Sequence, residues 1–430
     1  MKKTLIILAV LLLALNLPAL AQDDMACDIE APAEPVEIDM IGWSFAITDF
    51  YAEELERCNE VENLTVNTSL LASTDALEQA RLTLSTGGDS AFDIIHGANG
   101  EVGDWGGQGW LLPLNDLVEQ YREEYNLNDI PETVWEGGTL DGNIYGIPMV
   151  GNTLHFVYRQ DIFEELELEI PETYDEVIAI CDAIGLDNSD YDIPFGIDFS
   201  RPRGFELEFF MLLRAYGGDY LNEDNTPAFN GEEGLQAIAM MQRIAESCVG
   251  PDGFSLGLNE LETSMQQGFL PSTKIWASRA ANMSDPERTE IMDLIAYSPA
   301  PRVTEDSPRA GSAWNDFYFI PATVTNDPDL IFQVIMEAVD EGSQREAAAV
   351  GMTTRDSAAE FGGPYLPAAN QTIAEGIGNY DKNPAVNIVI AVMGDTLPLV
   401  FTGDLTPEEA LEQAAEAYTE EATQQGYITE

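Results

Sequence analysis

Three of the chain's six tryptophans, Trp43, Trp276 and Trp314, stand at or just past the ends of strand-like runs. Trp314 is followed directly by Asn315 and Asp316. In an extended strand Trp314 and Asp316 would point to the same side. Asn99 closes the run Phe92-Asp93-Ile94-Ile95-His96-Gly97-Ala98, Asn152 sits beside Gly151, and Arg355 ends the turn Gly351-Met352-Thr353-Thr354. A flat indole covers an apolar C–H face. Carboxamides, carboxylates and a guanidinium fork satisfy hydroxyls, and a buried polar group left unpaired costs about 1–3 kcal/mol. Together these residue types suit noncovalent capture of a polyhydroxylated molecule. The plainer alternative puts each tryptophan in a core and pairs Arg355 with a surface carboxylate. Trp110 and Trp135 are expected in the core, and His96 and His155 are expected to be structural.

Bond-breaking chemistry has no comparable signal. The chain carries no Gly-x-Ser-x-Gly, no His-Glu-x-x-His and no phosphate loop. Paired carboxylates for glycoside hydrolysis are not diagnostic, because 77 acidic residues make chance pairs certain. Two histidines and unpaired cysteine spacing speak against a zinc site. No metal and no cofactor are expected.

The elements that must position these residues follow from the pattern. Val36–Trp43, Leu64–Leu70 and Ala91–His96 read as strands, with helices over Thr48–Asn59 and from Thr74-Asp75 to Gly87-Gly88. Repeated strand–helix–strand units imply a parallel sheet flanked by helices, with ligands bound beyond the carboxyl ends of the strands. Leu154–Tyr158 is a short apolar strand, and Thr173 with Glu176 makes a capping box for a helix reaching Ile184. Helices over Glu232–Cys248 and Asn259–Gly268 precede the strand Ile275–Ala277. Asn326-Asp327-Pro328 opens a further helix reaching Val339.

Residues 1–21 read as a secretory leader: Lys2 and Lys3, a short apolar run, then Ala19-Leu20-Ala21. The formal net charge is −59, and only Lys274 and Lys382 remain as lysines beyond that leader. Such acidity argues against nucleic acid or an anionic membrane as partner.

Several pieces recur in one order: Tyr145-Gly146-Ile147-Pro148 leading into a strand, Gln160-Asp161-Ile162-Phe163, and Pro171-Glu172-Thr173-Tyr174-Asp175-Glu176. Gly109–Leu114, Gly351–Arg355 and Leu405–Leu411 add to them. The sequence thereby resembles family 1 of the extracellular solute-binding proteins, the maltose-binding-protein-like components of bacterial ABC sugar importers. Tyr174 stands where the family pattern has Trp, and no lipoprotein box precedes Cys27.

The resemblance implies an α/β, two-lobed periplasmic-binding-protein fold of type II. Each lobe would hold a mixed, mostly parallel sheet, with a hinge between lobes. Residues 22–149 and 299–340 would form the N-terminal lobe, and 150–298 and 341–430 the C-terminal lobe. The implied activity is capture of a sugar, polyol or short oligosaccharide for a membrane permease, by an exported, unlipidated monomer in the periplasm or outside the cell. A secreted carbohydrate-active hydrolase is the alternative, as is a binder of a compatible solute or cationic amine. In sugar-binding relatives, aromatics at the places of Trp276 and Trp314 stack on the ligand. Trp43, Asn99, Asn152, Asn315, Asp316 and Arg355 complete the candidate set. Four cysteines in an exported chain suggest two disulfides in one of three pairings. Cys27–Cys58 with Cys181–Cys248 is favoured, because neither bond would cross the hinge.

Overall fold

The computed structural model describes residues 26–199, 203–283, 286, 288, 289 and 291–428; the expected leader lies outside them. Their strands are, in chain order, β1 (Val36–Trp43), β2 (Leu64–Leu71), β3 (Ile94–Ala98), β4 (Thr139–Leu140), β5 (Asn143–Ile144), β6 (Gly146–Asn152), β7 (Leu154–Arg159), β8 (Phe195–Gly196), β9 (Ser272–Trp276), β10 (Ile295–Ser298) and β11 (Trp314–Phe319).

Two separate sheets result, one per lobe. The first has the order β2-β1-β3-β11-β6 and the second β10-β7-β9-β8, while β4 and β5 form a small hairpin. β1 pairs in parallel with β2 and β3, as strand–helix alternation implies. β11 enters antiparallel to both β3 and β6. The second sheet departs from the parallel expectation. β7 runs antiparallel to β10 and β9, and only β8 and β9 are parallel. The chain passes from β6 in the first sheet to β7 in the second through Thr153 alone.

Local chemistry accounts for the helix starts. Thr173 Oγ1 accepts the Glu176 amide at 3.3 Å and Glu176 Oε2 accepts the Thr173 amide at 2.9 Å, which completes the anticipated capping box. Asp327 Oδ1 accepts the Asp329 amide at 3.1 Å at the start of Pro328–Ala338, with proline in the first turn. Helix Glu232–Ile244 ends four residues earlier than the sequence suggests and continues as a wide turn, Ala245–Val249, that carries Cys248. Both favoured disulfides are present, Cys27–Cys58 and Cys181–Cys248, each inside one lobe.

Two expected boundaries shift. The sequence places residues 299–310 in the first lobe, yet Val303 and Ala310 join the core of the second. The Arg309 guanidinium explains this: it donates to Glu375 and Glu172 of the second lobe, both at 2.8 Å, and to the Ala300 carbonyl of its own segment at 3.0 Å. The chain then enters β11 of the first sheet at Trp314. Conversely, helix Glu341–Ala347 was assigned to the second lobe, but Ala347 belongs to the core of the first. There Ser343 Oγ donates to Glu54 at 3.0 Å.

Lys274 lies in the middle of β9 with no exposed side-chain surface. Its ammonium donates to Glu208 at 2.5 Å and to the Tyr174 hydroxyl at 2.9 Å. Removing one member of such a pair strands the other in low dielectric. Lys274→Met should cost about 3–5 kcal/mol of unfolding free energy in urea titrations. The double variant Lys274→Met/Glu208→Leu should recover most of that loss.

Candidate functional site

The carboxyl ends of β1 and β3 and the start of β11 converge at the junction of the lobes. Trp43, the last residue of β1, stacks on His96 of β3 with ring centroids 3.5 Å apart. The Trp43 amide donates to His96 Nδ1 at 3.4 Å. That leaves Nε2 as the protonated nitrogen, and it donates to Asp316 Oδ2 at 3.1 Å. The other carboxylate oxygen, Oδ1, accepts the Trp314 indole N–H at 3.2 Å. Trp314 and Asp316 thus stand on one face of β11. His96, read from sequence as structural, is the buried link between Trp43 and Asp316.

Across the junction Trp276 ends β9 of the second sheet. Its ring meets Trp314 edge to face, with centroids 5.8 Å apart. Tyr380 closes on Trp314 from the second lobe at 4.9 Å. The Arg203 guanidinium lies over both rings, 5.8 Å from the Trp314 centroid and 5.2 Å from that of Tyr380. It also pairs with Glu206 at 3.1 Å while keeping 40 % of its side chain exposed. Trp276, Trp314, Asp316, Trp43, His96, Arg203 and Tyr380 therefore form one wall-to-wall cluster. Aromatic faces alternate with a carboxylate and a guanidinium along it.

The remaining candidates are placed elsewhere. Asn99 and Asn315 turn into the first lobe. Asn99 Oδ1 accepts the Asn315 amide at 2.6 Å, and Asn99 Nδ2 has no protein partner. Asn152 braces the crossing: its amide donates to Ser278 Oγ at 3.1 Å, and its oxygen accepts the Thr153 and Ser278 amides at 3.1 and 3.2 Å. It thereby fixes the start of helix Ala277–Met283. Arg355 does not reach the cluster. It is buried in the first lobe, donating to the Val339 carbonyl at 3.2 Å and the Asn126 carbonyl at 3.1 Å. The hydroxyl fork expected of it is used on backbone instead.

Sequence reasoning missed Arg203, Tyr380 and Glu101. Arg203 had a signal, the cationic stretch Arg201-Pro202-Arg203 in a strongly acidic chain. Tyr380 had none, because it lies more than sixty residues beyond Trp314 in an irregular segment.

This chain belongs to the bacterial extracellular solute-binding protein family, whose model matches residues 46–344. The mannitol-binding protein of Pseudomonas aeruginosa is 26% identical over 231 residues, which is 52% of this chain and 50% of that protein. The chain spans about half the length of the curated relatives it matches first. Among solved structures, a solute-binding protein of Agrobacterium radiobacter K84 in complex with ribitol has a TM-score of 0.78 at 18% identity, covering 90% of this chain and 99% of that one. An Agrobacterium vitis S4 protein with bound D-mannitol has a TM-score of 0.75 at 20% identity, covering 92% and 99%. These likenesses establish the two-lobed fold.

Glu101 stands one helical turn past Ala98 at this rim, and its carboxylate accepts the Ala98 amide at 2.9 Å. Burial pushes its pKa up to about 7, and the nearby Asp316 carboxylate adds to the rise. A carboxyl raised in the folded state contributes stability that is full below its unfolded range and is lost as pH climbs toward 7. Thermal melts should show the wild type losing more stability than Glu101→Gln between about pH 5 and pH 8. Gln preserves the capping geometry, so equal slopes would refute this.

Proposed function

We propose that this chain captures a sugar or polyol between its two lobes and passes it, unaltered, to a membrane permease of an ABC importer. The first lobe would comprise residues 26–152 and 312–355, and the second 153–311 and 362–428. The observation that carries this reading is the junction cluster. Trp276 and Trp314 approach from different lobes beside Asp316 and Arg203. Indole faces cover C–H surfaces, the carboxylate accepts from hydroxyls, and the guanidinium donates to them. Relatives that carry mannitol and ribitol favour the same solute class. Since the two indoles already touch, the solute would sit alongside the pair, toward Trp43 and Asp316, and not sandwiched between them. The two lobes, which already meet at these rings, would enclose it between them. The protein would act outside the cytoplasm, where an importer's capture component meets its solute.

A thermal-shift screen with D-mannitol, ribitol, tagatose and maltose should raise the melting temperature with at least one of them. Chromogenic glycosides should not turn over; turnover would make the chain a hydrolase. With the solute so found, calorimetry on Trp276→Ala and Trp314→Ala should show binding weakened about tenfold or more, roughly 1.4 kcal/mol. Unfolding free energy should fall by less than the roughly 3–5 kcal/mol lost on truncating a fully buried aromatic. Normal binding with large destabilisation would place both rings in the core and remove the proposed site.

A further inference from the structure

The segment Asn379–Pro384 leaves the second lobe and lies against the first. Its root is in the second lobe, where Tyr380, Ala385 and Val386 belong to the core. Asn383 holds the turn there: its amide donates to Asp381 Oδ1 at 2.8 Å and its side chain to Asn225 Oδ1 at 2.6 Å. From that base the segment crosses to first-lobe groups. The Asn379 side chain donates to the Thr133 carbonyl at 3.4 Å. Lys382 Nζ donates to the Glu136 carbonyl at 2.5 Å and the Thr139 carbonyl at 2.6 Å.

The Glu136 carbonyl lies in the last turn of the helix Glu132–Gly137, whose Val134 and Trp135 pack against the first-lobe core, and the Thr139 carbonyl opens β4 just beyond it. The last carbonyls of a helix lack partners within it and carry its negative dipole end. A lysine from the opposite lobe thus caps this helix. The backbone fits as closely. A methyl group added at Gly103, on helix Asn99–Gly107, would lie 1.5 Å from the Lys382 carbonyl oxygen. Glycine at 103 is what lets the strap reach the first lobe.

We infer that Asn379–Pro384 is an interlobe latch, with Lys382 as its bolt and Gly103 as its seat, that favours the closed arrangement of the lobes even without a bound solute. Opening would expose the ammonium and the Glu136 and Thr139 carbonyls to water and break the strap's contacts with the first lobe together. Tyr380, inside the strap, packs on Trp314 of the site cluster, whereas Lys382 bonds the Glu136 and Thr139 carbonyls. The bolt therefore sets the fraction of molecules already closed, and with it the apparent affinity for any solute.

The test uses the ligand-free full-length protein and does not depend on which solute binds. Small-angle scattering and amide exchange are compared for wild type, Lys382→Ala and Gly103→Ala. Gly103→Ala keeps the ammonium but blocks the seat. Both variants should show a larger radius of gyration than wild type. Amides in 132–140 and 379–383 should exchange together, about tenfold faster, as expected for loss of a charge-assisted hydrogen-bonded contact. Circular dichroism identifies a variant that has lost its fold, and the other variant then decides. An unchanged scattering profile in a folded variant overturns the latch, whether or not its melting temperature falls. Faster exchange confined to one side of the contact overturns it as well. A failed solute screen alongside opened variants would refute the solute reading and leave the latch standing.

Discussion

The Asp316 carboxylate holds the junction of the lobes in order. It is buried, and both oxygens are used, one by the Trp314 indole and one by His96. In low dielectric an acceptor so satisfied is rigid, and its loss would leave two donors unpaired. Through His96 the same carboxylate fixes the ring against which Trp43 stacks. One side chain therefore orients three aromatic rings drawn from β1, β3 and β11. This works because β11 is inserted antiparallel between β3 and β6, placing Asp316 opposite Ala98 on one side and Val150 on the other.

The scarcity of cations gives each one a definite task. In a chain with 18 basic residues against 77 acidic ones, several cations are held inside or between lobes. Lys274 neutralises Glu208 within the second lobe. Arg309 ties the 299–310 segment to Glu172 and Glu375, and Arg355 satisfies two backbone carbonyls in the first lobe. Arg203 is the one that meets the aromatic cluster with exposed surface left over. The excess of surface acid favours solubility and leaves the architecture of the site to these few cations.

The connections between lobes are short, which is what rigid-body closure requires. Thr153 alone separates β6 from β7, and Asn152 clamps that link to helix Ala277–Met283 through two hydrogen bonds to Ser278 while accepting the Thr153 amide. At the other end of β6, Gly146 admits the Phe317 ring, which a methyl group would meet at 2.7 Å. Closure of the lobes would thereby be confined to a few residues, each sheet moving as a unit.

Local signals in the sequence determined much of this protein. The alternation of β1, the capping box at Thr173, the Asp327-Pro328 helix start and the same-side placement of Trp314 and Asp316 all depend on residues within a few positions of each other. Backbone sterics and nearby hydrogen bonds settle such features before any long-range contact forms. The family order of short segments was legible for the same reason. Tertiary structure alone decided the antiparallel character of the second sheet, the packing of Val303 and Ala310 into the second core, the burial of Arg355 and the arrival of Arg203 and Tyr380 beside Trp314. Each depends on contacts between segments far apart in the chain. A guanidinium that can bond a carboxylate, a carbonyl or an aromatic face has its partner chosen by which of these packing brings within reach, and residue type alone carries no record of that choice.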